Sequence, residues 1–155
     1  MRLKPDMFLS SVCGITPEWA ESRGLRGLIL DLDNTLAFYL APVAPPDIEA
    51  WIADMAASGV KLAVCSNSRE KRVSLFCDRL GLTYVHTARK PKKDGLLKAA
   101  ELMGLEPGET AMVGDQLFTD VLAGRRAGMT TVLVDPLKNN IVFRLRRRCE
   151  RLFMR

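Results

Sequence analysis

The chain has 155 residues, and 48% of them are hydrophobic, which suits a single domain with a sizeable core. No apolar run is long enough to cross a bilayer, and Pro5 and Asp6 interrupt the N-terminal segment, so we expect neither a membrane span nor a signal peptide. The four cysteines lie far apart without a C-x-x-C pair. We therefore expect free thiols in a reducing cytosol rather than a zinc site.

The formal net charge of +5 is concentrated at the C-terminal end of the chain. Residues 138–155 contain seven Lys or Arg and one Glu, so the preceding residues carry a net charge close to −1. The basic character therefore belongs to this tail and not to the rest of the domain.

Short apolar runs alternate with segments of helical periodicity. The apolar runs predict strands at residues 27–33, 60–67, 82–87, 110–115 and 130–135. Apolar residues at helical spacing, each series ended by a glycine, predict helices at residues 47–59, 73–80, 93–104 and 119–128. This alternation predicts an α/β fold, a Rossmann-like three-layer α/β/α sandwich with a central, mostly parallel sheet. We interpret residues 1–155 as one domain, with its core at about 26–137 and a basic amphipathic helix at about 139–154.

Polar side chains follow three of the predicted strands, at the point where each strand ends. Asp31 and Asp33 end the first strand, Ser66 and Asn67 end the second, and Asp115 ends the fourth. In a parallel sheet covered by helices, the ligand site lies beyond the carboxyl ends of the strands. These side chains are therefore expected to meet at one edge of the sheet.

The acids of this cluster predict a cation site. Asp31, Asp33 and Asp115, with Asp120 nearby, cannot all stay ionised at close range without a cation. Oxygen ligands favour a hard ion such as Mg²⁺. The hydroxyl and amide groups of the second strand end add hydrogen-bond donors, and residues 89–93 (RKPKK) add positive charge. Such a pocket suits a phosphate beside a metal, where a carboxylate can accept the phosphoryl group as an aspartyl-phosphate.

Four short segments resemble, in order and spacing, the four motifs of the haloacid dehalogenase superfamily of phosphatases. They are DLDNTL at 31–36, CSNS at 65–68, KP at 90–91 and GDQLFTD at 114–120. One D-x-D pair is weak support by itself, but four motifs in order, each at a strand end, are specific. The resemblance covers roughly residues 28–135.

The resemblance implies a role for each catalytic residue. Asp31 would be the nucleophile, and Asp33 would protonate the leaving oxygen and then activate water, while Mg²⁺ contacts Asp31 and the backbone carbonyl of Asp33. Lys90 would stabilise the charge on the phosphate and on Asp31. The residues alone leave Lys92 and Lys93 as alternatives; Lys90 is favoured because a Lys-Pro pair occupies that place in relatives.

The same resemblance implies binding roles for the remaining motif residues. Thr35 would hold the loop after the first motif, as a substrate-binding residue together with Ser66 and Asn67, which would contact the phosphoryl oxygens. Asp115 would ligate Mg²⁺, and Asp120 would join or support that ligand set. Alternatively, Asp120 is a first-turn acid of a helix, next to an N-cap threonine.

The intervals between the motifs are too short for a cap domain, since about thirty residues separate the first two and about two dozen the next two. The chain thus resembles the capless subclass, whose open sites accept substrates on large surfaces, are closed by a partner subunit, or act broadly on small phosphate esters. A second copy of the chain, in a homo-oligomer, is among the partners considered. Residues 114–129 and Pro136-Leu137 look like the YqeG-type phosphatases. Relatives of that family include phosphatidylglycerophosphate phosphatases.

The tail adds a physical argument about partners. From Ile141 onward, one helical face is apolar and another is rich in arginine, which suits an anionic membrane surface where each basic residue contributes about 1 kcal/mol. The alternative is that the apolar stripe packs on the domain and the arginines are solvated. Residues 7–9 (MFL) offer a second apolar contact or belong to the core.

Three hypotheses follow. The leading one is a magnesium-dependent phosphatase of a phosphate monoester, with phosphatidylglycerophosphate as the favoured substrate, located in the cytoplasm with peripheral contact at the inner face of the membrane. The second keeps the chemistry and changes the substrate to a soluble sugar, nucleotide or glycolate phosphate. The third is a protein that binds nucleic acid or another acidic partner through the basic tail, which is disfavoured because the tail has only Phe143 and Phe153 for base stacking.

Overall fold

A computed structural model describes residues 2–155 and contains a six-stranded sheet in which every neighbouring pair of strands is parallel. The strands are β1 (Met7–Leu9), β2 (Gly27–Leu30), β3 (Lys61–Cys65), β4 (Thr83–Val85), β5 (Thr110–Gly114) and β6 (Thr130–Val134). Their spatial order is β1-β6-β5-β2-β3-β4, so β2 lies between β5 and β3 in the middle of the sheet.

Helices connect successive strands and follow the last one. The α-helices are α1 (Pro17–Ser22), α2 (Pro46–Ala57), α3 (Glu70–Leu80), α4 (Asp94–Met103), α5 (Leu122–Ala127) and α6 (Ile141–Met154). Short 3₁₀ turns occur at Val12–Gly14 and Pro107–Glu109, and a π-helical turn at Leu117–Val121 leads into α5. None of the described helices combines the length and the apolar character that crossing a bilayer requires.

Alternate residues of the central strands supply two apolar cores on opposite faces of the sheet. Leu28 and Leu30 of β2 belong to the core that contains the apolar sides of α2 and α3. Ile29, between them, belongs to the core that contains the apolar sides of α4 and α5. Strands buried on both faces are therefore apolar at every position, and the predicted three-layer α/β/α sandwich with a parallel sheet is confirmed.

The predicted strands and helices are present, with differences at their ends. The first predicted strand, 27–33, ends at Leu30, so both of its acids lie in the loop that follows. The helix predicted over 119–128 begins as a π-helical turn. Two elements were not predicted. Residues 7–9 form the edge strand β1 beside β6, and α1 precedes β2.

Candidate active site

Lys90 lies at the centre of the site, between two carboxylates. Its Nζ lies 2.8 Å from Asp31 Oδ1 and 2.7 Å from Asp120 Oδ1. The Lys90 side chain is only 1% exposed, whereas Lys92 and Lys93 are exposed residues. The structure therefore brings Lys90, and not its two neighbours, to the acids.

The hydroxyl of Thr35 contacts Asp31 of the first motif and Asp115 of the last motif. Its hydroxyl donates to Asp31 Oδ2 over 3.2 Å and lies 3.4 Å from Asp115 Oδ1. Thr35 is buried, and it is not among the residues that line the cavity of the site. The expected direct contact of Thr35 with substrate is thus replaced by a supporting position, because its hydroxyl is occupied by the two carboxylates.

Asp33 points away from the other acids. Its Oδ2 accepts a hydrogen bond from Ser68 Oγ over 2.9 Å, and its Oδ1 accepts one from Arg72 Nη2 over 2.9 Å. The amide of Leu40 also donates to Oδ1, over 3.0 Å. A contribution of Asp33 to a metal site would consequently come from its backbone carbonyl, as the sequence interpretation has it.

The loop after β3 contains Ser66 and Asn67, and Asn67 also holds the backbone of Lys90. Ser66 Oγ accepts a hydrogen bond from the amide of Ser68 over 3.0 Å. Asn67 bridges to the Lys90 backbone, since its Oδ1 accepts from the Lys90 amide over 2.7 Å and its Nδ2 donates to the Lys90 carbonyl over 3.1 Å. Ser66 and Asn67 both line the cavity, and Asn67 also fixes the backbone from which Lys90 extends.

Gly114 makes room for Asp120. A β-carbon at position 114 would overlap the Asp120 carboxyl group. Asp120 lies in the first turn of the π-helical segment after β5, as the alternative interpretation proposes, but the N-cap of that segment is Gln116 and not Thr119; Asp120 Oδ2 accepts from the amide of Gln116 over 3.1 Å. Its other oxygen faces Lys90, so Asp120 is both a turn residue and a member of the acidic cluster.

The C-terminal helix closes one side of the site through charged residues. Arg146 Nη2 donates to Asp115 Oδ2 over 3.0 Å. Arg147 donates to the carbonyl of Val134 over 2.8 Å and to Glu150 Oε2 over 2.8 Å. Arg147 and Glu150 are buried. Helix α6 is thus attached to the domain by an ion pair to Asp115 after β5 and by a hydrogen bond to the last residue of β6.

The apolar stripe of α6 faces outward. Its exposed apolar residues are Ile141, Val142, Leu145 and Leu152, whereas the ring of Phe153 packs edge-to-face on that of Phe118. The alternative in which this stripe packs on the domain is therefore wrong. The periodicity identified the two faces of the helix, but the buried side carries Arg147 and Glu150 together with the partly buried Met154.

Burial and neighbouring charges shift the pKa values of Asp115, Asp120 and Lys90. Burial, together with the charge of Asp31, raises the pKa of Asp115 to about 6 against the opposing effect of Arg146. Burial also raises the pKa of Asp120 to about 7, although Lys90 opposes it. Burial by itself lowers the pKa of Lys90, but the charges of Asp120 and Asp31 outweigh it and raise that pKa. The lysine is therefore fully charged at neutral pH.

These groups open onto a cavity of about 520 Å³. The predicted residues that line it are Asp31, Asp33, Ser66, Asn67, Lys90 and Asp120. Residues that the sequence did not single out also line it, namely Asn34, Tyr39, Ser68, Gln116, Thr119, Lys138, Asn140 and Phe143. The start of α6 and the segment before it thus form part of the wall.

The acids fit a hard divalent cation. Asp31, Asp115 and Asp120 each offer a carboxylate oxygen, and these oxygens lie within 4.8 Å of one another. Among residues 2–155, two cationic groups, Lys90 and Arg146, pair with the three carboxylates. One negative charge is left over when all three are ionised, and an all-oxygen donor set is what a hard cation requires.

Sequence reasoning missed the residues that hold the acids in place. Arg72 and Ser68 orient Asp33, and Arg146 pairs with Asp115. No motif marks Arg72, which is one charge on an amphipathic helix. The basic tail signalled the charge of Arg146 but not its partner, because that contact depends on how α6 packs.

Comparison with known proteins identifies the family of the chain. The family model for haloacid dehalogenase-like hydrolases matches residues 37–128. The chain belongs to this family. It is also 39% identical over 149 residues to "Probable phosphatase YqeG" of Bacillus subtilis (strain 168), a match that covers 95% of this chain and 87% of that protein. The resemblance seen in the sequence is confirmed, and this haloacid dehalogenase-like hydrolase is a phosphatase.

More distant matches extend the comparison. "Phosphatidylglycerophosphate phosphatase 1, chloroplastic" of Chlamydomonas reinhardtii is 30% identical over 126 residues, which cover 76% of this chain and 47% of that protein. The chain thus spans about half the length of that relative. The cobalt-bound deoxy-D-mannose-octulosonate 8-phosphate phosphatase of Haemophilus influenzae has a TM-score of 0.53 at 15% identity, covering 85% of this chain and 90% of that one. At this identity the structural match supports the fold alone.

Proposed function

We propose that this haloacid dehalogenase-like hydrolase is a magnesium-dependent phosphatase that cleaves a phosphate monoester through an aspartyl-phosphate on Asp31. The observation that carries the proposal is the buried pair of Lys90 and Asp31, 2.8 Å apart, at the wall of a cavity that Ser66 and Asn67 also line. An ionised carboxylate held beside a fixed positive charge can attack phosphorus while the lysine, hydroxyl and amide bind the phosphoryl oxygens.

The proposed reaction has two steps. In the first, an oxygen of Asp31 forms a bond to phosphorus while the bond from phosphorus to the alcohol oxygen breaks, and Asp33 gives that oxygen a proton. In the second, Asp33 takes a proton from water, the water oxygen bonds to phosphorus, and the bond from phosphorus to Asp31 breaks. Phosphate leaves, and both aspartates return to their starting states.

We assign the cation site to Asp31, Asp115 and the backbone carbonyl of Asp33, with Asp120 supporting it. Mg²⁺ bound there would neutralise charge on the phosphate. The three carboxylate oxygens within 4.8 Å of one another support this assignment. Thr35 would hold the carboxylate of Asp31 in position, and Arg146 would hold that of Asp115.

The favoured substrate is phosphatidylglycerophosphate. Two features support it: the likeness to a relative with that activity in its name, and a set of exposed apolar residues beside the site. Tyr39 lines the cavity, and its neighbours Phe38 and Leu40 are exposed as well. A site bordered by such residues suits a lipid phosphate at a membrane surface. The proposal therefore includes a cytoplasmic location with peripheral contact at the inner face of an anionic membrane.

The test is phosphate release from phosphatidylglycerophosphate in mixed micelles, with Mg²⁺ or with a chelator. A panel of soluble esters (glycerol phosphate, glucose phosphate, a nucleoside monophosphate and phosphoglycolate) is assayed in parallel. Asp31→Asn removes the proposed nucleophile, and Asp54→Asn, at an exposed position of α2, is the matched control.

Turnover of the lipid well above the soluble panel, lost with chelator and in Asp31→Asn but retained in Asp54→Asn, supports the whole proposal. Preference for a soluble ester keeps the chemistry and rejects the lipid substrate. Undiminished turnover in Asp31→Asn would reject the aspartyl-phosphate itself.

A further inference from the structure

The outer surface of α6 has an unusual distribution of residues. The side of the helix that faces the domain is charged, with Arg147 only 7% exposed and Glu150 only 1% exposed. The opposite side carries apolar residues in water: Ile141 is 73% exposed and Leu152 is 69% exposed. An amphipathic helix normally buries its apolar side, so this apolar side is available to something outside the chain.

Beside this apolar stripe lies a second cavity, of about 500 Å³, which we call the arginine cavity. It is lined by Asp135, Pro136, Asn139, Phe143, Arg144, Arg147, Arg148 and Arg151. Arg147 is paired with Glu150, so the other three arginines supply the uncompensated positive charge of this wall. In the part of the chain that the structure describes, Arg144, Arg148 and Arg151 form no ion pair.

One polar atom in this wall is buried without a partner. Arg147 donates through both terminal nitrogens, but its Nε is buried and has no hydrogen-bond partner among the described residues. The other three arginines are exposed residues. Guanidinium groups bind phosphate through paired, charge-assisted hydrogen bonds, so the cavity is chemically suited to a phosphate group.

The arginine cavity adjoins the active site. The two cavities share a wall residue, because Phe143 lines both. The arginine cavity and the active-site cavity are therefore neighbours at α6, the helix that also carries the apolar stripe.

We propose that the arginine cavity binds the phosphate of an anionic phospholipid headgroup, with the apolar stripe of α6 in contact with the acyl region beside it. The charge favours a lipid over a second copy of this chain, because two arginine cavities facing each other would repel. The combination of basic and apolar residues on one exposed helix is what binding at a lipid interface requires. The use of this site in catalysis rests on the proposed lipid phosphatase function, whereas binding itself does not.

The test measures binding without turnover. The full chain carrying Asp31→Asn is sedimented with vesicles of phosphatidylcholine, with or without phosphatidylglycerol. The test variant replaces Arg144, Arg148 and Arg151 by Gln. The control variant replaces three exposed basic residues elsewhere by Gln and so removes the same charge: Arg23, Arg26 and Lys98.

We expect binding to vesicles that contain phosphatidylglycerol and little binding to phosphatidylcholine alone. The partition coefficient should fall roughly 10- to 100-fold in the α6 variant and only a few-fold in the control. Leu145→Ser with Leu152→Ser should weaken binding in the same way, because both residues lie on the exposed stripe. Thermal unfolding confirms that each variant is folded, and the single change Arg151→Gln serves if the triple variant is not.

Three results would overturn the proposal. One is equal binding to both kinds of vesicle, and another is an equal loss in the α6 and control variants. The third is full displacement from the vesicles by inorganic phosphate at low millimolar concentration, which would indicate a site for free phosphate. None of these bears on the phosphatase assay, which reports on the active site separately.

Discussion

The guanidinium of Arg146 lies 3.0 Å from Asp115 Oδ2, so the C-terminal helix touches the acidic cluster of the active site directly. A second bond from the same nitrogen, over 3.1 Å, reaches the Asp115 carbonyl. Because Oδ2 is held in this way, Oδ1 is the oxygen that lies toward Thr35. Arg146 thus orients a proposed metal ligand and offsets part of its charge.

The first prediction concerns this pair. In Arg146→Gln, the nearly buried Asp115 loses its ion partner, so the free energy of unfolding without metal should fall by about 1–3 kcal/mol. The acidic cluster then carries more uncompensated negative charge. Addition of Mg²⁺ should consequently raise the melting temperature more in the variant than in the native protein. Thermal unfolding with chelator and with Mg²⁺ measures both effects.

The matched control for Arg146 is Arg148→Gln, since Arg148 is exposed on the same helix. Its stability should stay within about 0.5 kcal/mol of the native value. An Mg²⁺-dependent rise in melting temperature that is equal in Arg146→Gln and in the native protein would contradict the electrostatic link between α6 and the acidic cluster.

The second prediction distinguishes the lysines of the RKPKK segment. Lys90→Gln removes the only charge that contacts both Asp31 and Asp120 among the described residues, and hydrolysis should fall about 100- to 1,000-fold. Lys92→Gln changes an exposed side chain and should leave the rate unchanged. Steady-state rates of hydrolysis at saturating Mg²⁺ compare the two variants, and circular dichroism verifies that both are folded. Similar losses in the two variants would refute the assignment of Lys90.

The buried strands and the site residues at their ends could be predicted, because local sequence patterns mark them. Continuous apolar runs identified the buried strands, and their parallel arrangement predicted that their carboxyl ends lie at one edge of the sheet. Asp31, Ser66 and Asp115 could be placed at one edge because the ends of neighbouring parallel strands coincide. The motifs then narrowed the chemistry to phosphoryl transfer.

The parts that escaped prediction depend on long-range packing. Strand β1 has three residues and exists through its pairing with β6, far along the chain. The orientation of α6 was not predictable from its apolar stripe, because the buried Arg147 and Glu150 pair with each other and with the ends of the sheet. In the same way, Arg72 gains its role only when α3 places it beside Asp33.

The third prediction concerns the glycine of the GDQLFTD motif. Gly114→Ala would place a β-carbon on the Asp120 carboxyl group, which must then move away from Lys90. We expect a loss of about 1–3 kcal/mol in the free energy of unfolding, as for other overpacked sites, and at least a tenfold loss of activity. Gly108→Ala is the control, because no atom lies within 4 Å of a β-carbon built there. Denaturant unfolding and hydrolysis rates that are equal in the two variants would disprove the steric argument.

The last prediction is the pH dependence of stability. Asp115 and Asp120 have pKa values of about 6 and about 7, above the ordinary value of 3.8. A raised pKa means that the folded protein binds these protons more tightly than the unfolded chain does. Their contribution to stability is therefore present at low pH and is lost as the pH rises through about 4 to about 7. The protein without metal should become less stable across that window.

Mg²⁺ should reverse this loss, because it binds the ionised carboxylates in competition with protons. The increase in melting temperature on addition of Mg²⁺ should be small at about pH 5 and large at about pH 8, a direction fixed by the raised pKa values of both acids. Asp120→Asn should reduce the pH dependence in the presence of chelator, and Asp54→Asn, an exposed control, should not. A stabilisation by Mg²⁺ of equal size at both pH values would show that these two carboxyl groups do not titrate together with cation binding.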